Sequence, residues 1–168
     1  MSKYDTFWPR FWALFIDGII LNIIDKLMEQ INFSGNQIGV LIITLISLNL
    51  PYVYSVWMHG KYGQTLGKIV FKIRIMDFKS EEKINYHQAL MRDIVPIILV
   101  NLFFIASTII TWGVDFTTYS FTTFGYIIMF VPGFMLIIWS ILEIITMLFN
   151  PKNRALHDLI AETVVIKY

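Results

Sequence analysis

The sequence predicts an all-α transmembrane fold, a four-helix polytopic bundle with both termini in the cytoplasm and a small cytoplasmic layer. Three observations predict it. Of the 168 residues, 57% are hydrophobic and only 15% are charged, whereas about 25% of residues are charged in soluble domains. The apolar residues form four long stretches. Nearly all of the basic residues lie in the segments that a four-span layout places on one side of the membrane. This composition argues against a soluble enzyme, a nucleic-acid-binding protein and a disordered chain.

Four apolar stretches are each long enough to cross a bilayer, which takes a helix of about 20 residues. They are apolar all round, unlike the amphipathic helices of a soluble bundle. No small-residue cleavage site follows the first stretch, so we expect it to remain as an anchor. The predicted spans cover residues 7–24, 38–58, 94–112 and 124–149 of a single membrane domain, residues 1–168.

The positions of the basic residues predict the orientation, because cytoplasmic segments of membrane proteins are enriched in Lys and Arg. In the four-span layout, Lys26 is the only one of the 13 basic residues that falls in the opposite loops. The others lie before or at the cytoplasmic start of the first span, in the loop 59–93 or in the tail 150–168. Both termini are therefore expected on the cytoplasmic side.

The loop 59–93 is too long and too patterned to be a simple connection. Apolar and basic side chains alternate over residues 71–75, and this period of two predicts a short strand. The C-terminal run Thr163–Tyr168 is similarly rich in β-branched residues, so the two segments are expected to pair. Asn85 is the predicted N-cap of a short helix that runs into the third span. The alternative is a basic loop that lies on anionic lipid head groups.

Each predicted span carries one polar side chain at a similar depth. With a rise of 1.5 Å per residue, these residues lie about 10–13 Å from the cytoplasmic ends of their spans. They are Asp17, Asn49, Asn101 and Glu143. Such groups either bind a proton or a small cation, or hydrogen-bond the helices together. We favour the first role for Asp17 and the second for the asparagines.

A cationic partner for Asp17 is expected from another segment. Arg10 is seven residues away on the same helix, about 10 Å along its axis, which is too far for a direct bond. Arg92 and Arg154 are the expected partners. Pairing with either would keep Asp17 ionised, whereas isolation in hydrocarbon would leave it neutral.

Several motifs occur in a defined order along the chain: Arg10 followed by FWALFID, then GQTLGKIVFKIRIMD, a lone Arg92, and RALHDLIAETVVI. Together they resemble the RDD family of bacterial membrane proteins, which is named for one arginine and two aspartates. By position, the family arginine corresponds to Arg10 and the two aspartates to Asp17 and Asp158. The remaining residues that match similar sequences, or belong to the matching cytoplasmic motifs, are Gly63, Thr65, Gly67, Lys68, Arg92, Arg154, His157 and Thr163.

The resemblance implies a largely uncharacterised family that is usually described as transporting unknown ligands and includes members credited with monovalent cation/proton antiport. We therefore expect a small transporter of the bacterial plasma membrane, in which Asp17 binds H⁺ and Na⁺ or K⁺ in turn and a homo-oligomer provides the pathway. Glu143, Asn49 and Asn101 would line that path. The alternative is a non-transporting scaffold or assembly partner whose motif residues are structural. The lipid bilayer is the expected partner, with no nucleic acid and no cofactor.

Enzymatic activity is not expected. The chain has no cysteine, which excludes thiolate nucleophiles and thiolate metal ligands. His59, His87 and His157 lie on three separate segments without the i, i+4 spacing of a helical metal site, so no metal site is predicted. No nucleophile adjoins the His157-Asp158 pair, and a capping or salt-bridge role is expected for Asp158.

Overall fold

The computed structural model describes residues 2–30, 36–112 and 119–168. These residues form four long helices, two short helices and a two-stranded sheet. In chain order the elements are α1 (Phe7–Glu29), α2 (Gln37–Tyr62), α3 (Leu66–Val70), β1 (Ile73–Asp77), α4 (Tyr86–Trp112), α5 (Tyr119–Phe149), α6 (Leu156–Ile160) and β2 (Thr163–Lys167).

Each long helix contains one of the four predicted spans. Among the described residues, three helical segments are long and apolar enough to cross a membrane: Gln37–Tyr62, Tyr86–Ile109 and Phe130–Phe149. The first predicted span lies in α1, which is not one of the three and which carries Arg10 and Asp17 in its first half. The fold is thus mostly helical, with three candidate membrane spans.

Among the long helices, α4 packs against both α2 and α5. α1 packs mainly against α3 and less extensively against α2. Asn85 caps α4 as predicted, because its Oδ1 accepts from the Gln88 N–H at 2.8 Å and Gln88 Oε1 accepts from the Asn85 N–H at 3.2 Å. The segment after Asn85 is one continuous 27-residue helix, and the helical pattern therefore begins eight residues before the predicted third span.

The predicted strand pair is confirmed, although β1 begins two residues later than the alternation over residues 71–75 predicted. β1 and β2 are antiparallel, with Ile75 opposite Val165 in the register. Ile73 and Ile75 are fully buried while Arg74 between them is partly exposed, which is the alternation that the sequence predicted. The strand side chains pack with Ala13 of α1 and Ala89 of α4 in one small core.

The short elements meet the long helices at one end of the molecule. We call α3, α6, β1 and β2 together the end layer. α3 contacts α1, and α6 contacts both α4 and α5. The two chain termini are also close here, because the Lys167 N–H donates to the Lys3 carbonyl at 2.9 Å. The end layer therefore joins the start of α1 and of α4 to the end of α2 and of α5.

Candidate functional site

Asp17 is buried between α1, α2 and α3. Its side chain accepts three hydrogen bonds, from the Tyr54 hydroxyl at 2.9 Å, the Thr65 hydroxyl at 2.6 Å and the Gly67 N–H at 2.8 Å. The residue is only 7% exposed. We call Asp17, Tyr54, Thr65 and Gly67 the Asp17 site. All three donors are neutral, so the carboxylate is hydrogen-bonded without a compensating positive charge on any of these donors.

The sequence between α2 and α3 brings the donors to Asp17. Gly63 ends α2 in the left-handed conformation, with φ of 71°, which glycine adopts without steric cost. Thr65 is the N-cap of α3, and its hydroxyl accepts from the Lys68 N–H at 3.4 Å. A Cβ atom on Gly67 would lie 2.1 Å from the Ala13 carbonyl oxygen, so only glycine allows α3 to approach α1 this closely.

The expectation that Arg92 or Arg154 pairs with Asp17 is wrong. The Arg92 guanidinium bonds to Asp158 and Thr163, and the Arg154 Nε–H donates to the Thr163 carbonyl at 2.8 Å. Both arginines bond to residues of the end layer. Asp17 instead accepts hydrogen bonds from two hydroxyl groups and one backbone N–H.

Asp158 is completely buried between two arginines. Its Oδ2 forms a salt bridge with Arg10 and accepts from the Ala155 N–H at 3.0 Å, and its Oδ1 forms a salt bridge with Arg92. We call Arg10, Arg92 and Asp158 the Asp158 clamp. Burial acts to raise the pKa of the Asp158 carboxyl, but the guanidiniums of Arg10 and Arg92 hold this pKa well below its usual range. The clamp ties α1, α4 and α6 together and also caps α6, in agreement with the capping and salt-bridge role expected for Asp158.

Arg154 and His157 complete the end layer around the clamp. Arg154 donates to the Asp158 carbonyl at 2.9 Å, and its guanidinium carbon lies 4.0 Å from the centroid of the Phe78 ring. His157 Nδ1 lies 2.6 Å from Glu143 Oε2, and its Nε2 lies 2.8 Å from Arg92 Nη2. The His157 backbone N–H also donates to Glu143 at 3.1 Å. Glu143 therefore connects α5 to α6.

Asn49 and Asn101 form a reciprocal pair between α2 and α4. The Asn101 amide donates to Asn49 at 2.8 Å, and the Asn49 amide donates to Asn101 at 3.1 Å. Each amide also donates to a carbonyl four residues earlier in its own helix. This contact is of the helix-joining kind that we favoured for the asparagines.

The four polar residues predicted at one depth are divided among three sets of contacts. Asp17 bonds to α2 and α3, the asparagines bond to each other, and Glu143 bonds to His157. The residues in the motif Gly63–Lys68 do come together, and two of them reach Asp17 directly.

Three residues that contact this region, Tyr54, Ser55 and Asp93, have no role in the sequence-based predictions. Tyr54 donates to Asp17, and Ser55 Oγ donates to Asp93 Oδ2 at 2.6 Å. His59, which the sequence analysis considered only to exclude it as a metal ligand, lies 2.7 Å from Lys68 Nζ through its Nε2. The spacing of Ser55 and His59, four residues apart on one helical face, is a signal by which this pair could have been found.

Comparison with known proteins identifies a family that the chain matches. The model of the RDD family matches residues 4–162. The chain is also 26% identical over 99 residues to an uncharacterized membrane protein, YteJ, of Bacillus subtilis (strain 168). That match covers 55% of this chain and 60% of the relative, so the chain spans less than two thirds of the relative's length. No solved structure matches the chain.

Proposed function

Since the chain belongs to the RDD family of membrane proteins, we propose that it exchanges monovalent cations for protons, with Asp17 as the group that binds H⁺ and Na⁺ or K⁺ in turn. The proposal includes no enzymatic reaction and no cofactor. Its partners are the lipid bilayer and the exchanged ions, and nucleic acid is not among them.

One observation carries the proposal: Asp17 is a buried carboxylate that is hydrogen-bonded only by neutral donors among the described residues. A buried charge without a counter-charge is costly, and binding a proton or a cation removes that cost. The Tyr54 and Thr65 hydroxyl oxygens lie within 2.9 Å of the carboxylate. Oxygen atoms are the ligands that replace the hydration shell of a monovalent cation, so these groups are suited to share a bound Na⁺ or K⁺.

The proposed orientation has four spans, with α1 as the first, and both termini in the cytoplasm of a bacterial cell. The lipid-facing character of α1 supports its spanning role, because Leu14, Phe15 and Leu27 are all more than half exposed. The contact between Lys3 and Lys167 supports termini on one side. The excess of Lys and Arg in the segments on that side supports the cytoplasm.

Exchange requires that ion binding at Asp17 changes the side of the membrane from which Asp17 is accessible. The segment Gly63–Lys68 is suited to act as a cytoplasmic gate together with the segment Arg154–Asp158. Protonating Asp17 weakens its attraction for the Thr65 and Gly67 donors, which would loosen α3 from α1. A bundle of only four long helices leaves little room for an internal pathway, and we propose a homo-oligomer as the transporting form.

The test is collapse of a preset pH gradient in proteoliposomes when Na⁺, K⁺ or Li⁺ is added. Wild-type protein should show cation-dependent proton flux, and Asp17→Asn should abolish it while remaining folded and inserted. Glu162→Gln is the control, because Glu162 is exposed and pairs only with exposed Lys79 among the described salt bridges. Wild-type flux no greater than that of empty liposomes, in well-folded and inserted protein, would refute cation/proton exchange.

A second candidate function is a non-transporting scaffold or assembly partner. It is favoured by the Asp158 clamp, in which one buried aspartate forms salt bridges with two arginines and so joins α1, α4 and α6. In that case Asp17 serves to fix α3 against α1. The same experiment separates the two functions, since a scaffold shows no wild-type flux and Asp17→Asn impairs folding or partner binding instead.

A further inference from the structure

Four side chains form a continuous hydrogen-bonded chain between α3 and the start of α4. Lys68 Nζ lies 2.7 Å from His59 Nε2, and His59 Nδ1 lies 3.1 Å from Ser55 Oγ. Ser55 Oγ in turn lies 2.6 Å from Asp93 Oδ2. His59, at the centre of the chain, is only 4% exposed, and the other three are partly buried.

When Lys68 is protonated and Asp93 is ionised, the chemistry of the two ends gives the direction of every bond. A lysine ammonium can only donate, and an ionised carboxylate can only accept. Lys68 therefore donates to His59 Nε2, and the single Ser55 hydroxyl proton is donated to Asp93. The remaining bond must then run from a His59 Nδ1–H to Ser55 Oγ. His59 is accordingly a neutral imidazole that carries its proton on Nδ1.

We propose that Lys68, His59, Ser55 and Asp93 form a proton relay that carries the proton of the exchange cycle between α3 and the foot of α4. In one transfer, the Lys68 Nζ–H bond breaks as a proton binds His59 Nε2. The Nδ1 proton of His59 passes to Ser55 Oγ, and the hydroxyl proton of Ser55 passes to Asp93 Oδ2. The products are a neutral amine and a neutral carboxylic acid, so one proton moves and the total charge is unchanged.

The surroundings of Lys68 favour release of its proton. Burial, together with the nearby positive charges of Arg92 and Arg10, lowers the pKa of Lys68 to about 7, while Asp93 and Asp158 act in the opposite direction. A proton is therefore released from Lys68 much more readily than from an exposed lysine. The charged or titratable groups that influence His59 and Lys68 from the surrounding elements are Arg10, Arg92, Asp93, His157 and Asp158.

The relay is attached to the Asp17 site through α3. The Lys68 backbone N–H donates to the Thr65 hydroxyl, and that hydroxyl donates to Asp17. Gly67, which also donates to Asp17, directly precedes Lys68. A movement of α3 at Asp17 therefore changes the contact between Lys68 and His59. The relay's role in exchange rests on the proposed function, whereas its hydrogen-bonded state does not.

The hydrogen-bonded state is tested by ¹⁵N NMR of histidine-labelled protein in lipid bilayers, with the His59 signal assigned by its loss in His59→Gln. At about pH 6, where Lys68 is mostly protonated, the His59 signal should be that of a neutral ring protonated on Nδ1. Ser55→Ala removes the acceptor and should shift this signal. Ser140→Ala is the matched control, because the Ser140 hydroxyl donates to the Leu136 carbonyl of its own helix. At this pH, a ring protonated on Nε2, or a signal unaffected by Ser55→Ala, would overturn the relay.

The transport role is tested in the proteoliposome assay with the same variants. Ser55→Ala should slow cation-dependent proton flux by on the order of 100-fold, the usual effect of removing a positioned proton carrier, while Ser140→Ala should match wild type. Equal flux in Ser55→Ala and wild type would overturn the relay and leave the exchange proposal intact. Absence of wild-type flux, with the His59 signal as expected, would overturn exchange and retain the relay as a proton-binding unit.

Discussion

Arg10, near the start of α1, and Asp158, in α6, form a buried salt bridge although 148 residues separate them in the sequence. Arg92 of α4 binds the other carboxylate oxygen of Asp158. Three elements from the beginning, middle and end of the chain are thus held at a single carboxylate. Because the carboxylate is fully buried, its loss would leave two guanidiniums without a negative partner in the clamp.

Asp158→Asn is therefore expected to be strongly destabilising. Removing one partner from a buried ion pair costs about 3–5 kcal/mol, because the remaining charge is left uncompensated. The measurement is the free energy of unfolding in detergent micelles. Glu162→Gln is the control, since it breaks a salt bridge with Lys79 that is exposed to solvent and is therefore expected to contribute little to stability. Similar losses in the two variants would show that the clamp does not stabilise the fold.

Gly67→Ala tests the close approach of α3 to α1. The added Cβ would lie 2.1 Å from the Ala13 carbonyl oxygen, and α3 must move away, which weakens the Gly67 N–H bond to Asp17. We expect a loss of about 1–3 kcal/mol in the free energy of unfolding. Gly18→Ala in α1 is the matched control, because nothing lies within 4 Å of its added Cβ. Equal stability of both variants would contradict the tight packing.

The features that sequence predicts well are those set by local pattern. The alternation over residues 71–75 predicted β1, because side chains on a strand alternate between two faces. Asn85 was recognisable as a cap because the group it accepts from lies only three residues away. The apolar stretches predicted where the long helices lie, since a membrane span is defined by its own composition.

The contacts that sequence does not predict depend on how distant segments pack. α3 has five residues, too few to be stable alone, and it is held by Asp17 and by the absence of a side chain at Gly67. Equal depth suggested that Asp17, Asn49, Asn101 and Glu143 share a site, but depth does not specify which faces of the helices meet. The pairing of Arg10 with Asp158 likewise leaves no local pattern in the chain.

The free energy of unfolding should depend on pH through the titration of the partly buried Lys68. Its pKa is lowered to about 7 in the folded protein, against an ordinary value of 10.5. Between these values the unfolded chain binds more protons than the folded one, so rising pH stabilises the fold. Below about pH 7 both states are protonated, and the full cost of burying the charge remains.

Lys68→Met removes this titration and keeps a side chain of similar length. Unfolding of wild type and variant should be compared from about pH 6 to about pH 10, and the stability of wild type should rise relative to Lys68→Met across this range. A difference between the two proteins that stays constant with pH would mean that Lys68 titrates as an exposed lysine does.

The reciprocal pair of Asn49 and Asn101 is expected to make a small, measurable contribution to the packing of α2 against α4. Each amide bonds to the other and also to a carbonyl of its own helix, so a single substitution leaves the second asparagine partly satisfied. Asn49→Ala, Asn101→Ala and the double variant form a double-mutant cycle that isolates the contact between them. Measured from unfolding in bilayer-like micelles, the coupling should be about 0.6 kcal/mol, and at most about 1.7 kcal/mol. A coupling of zero would show that the asparagines are held by their own helices alone, and a value well above that range would indicate a further group bound between them.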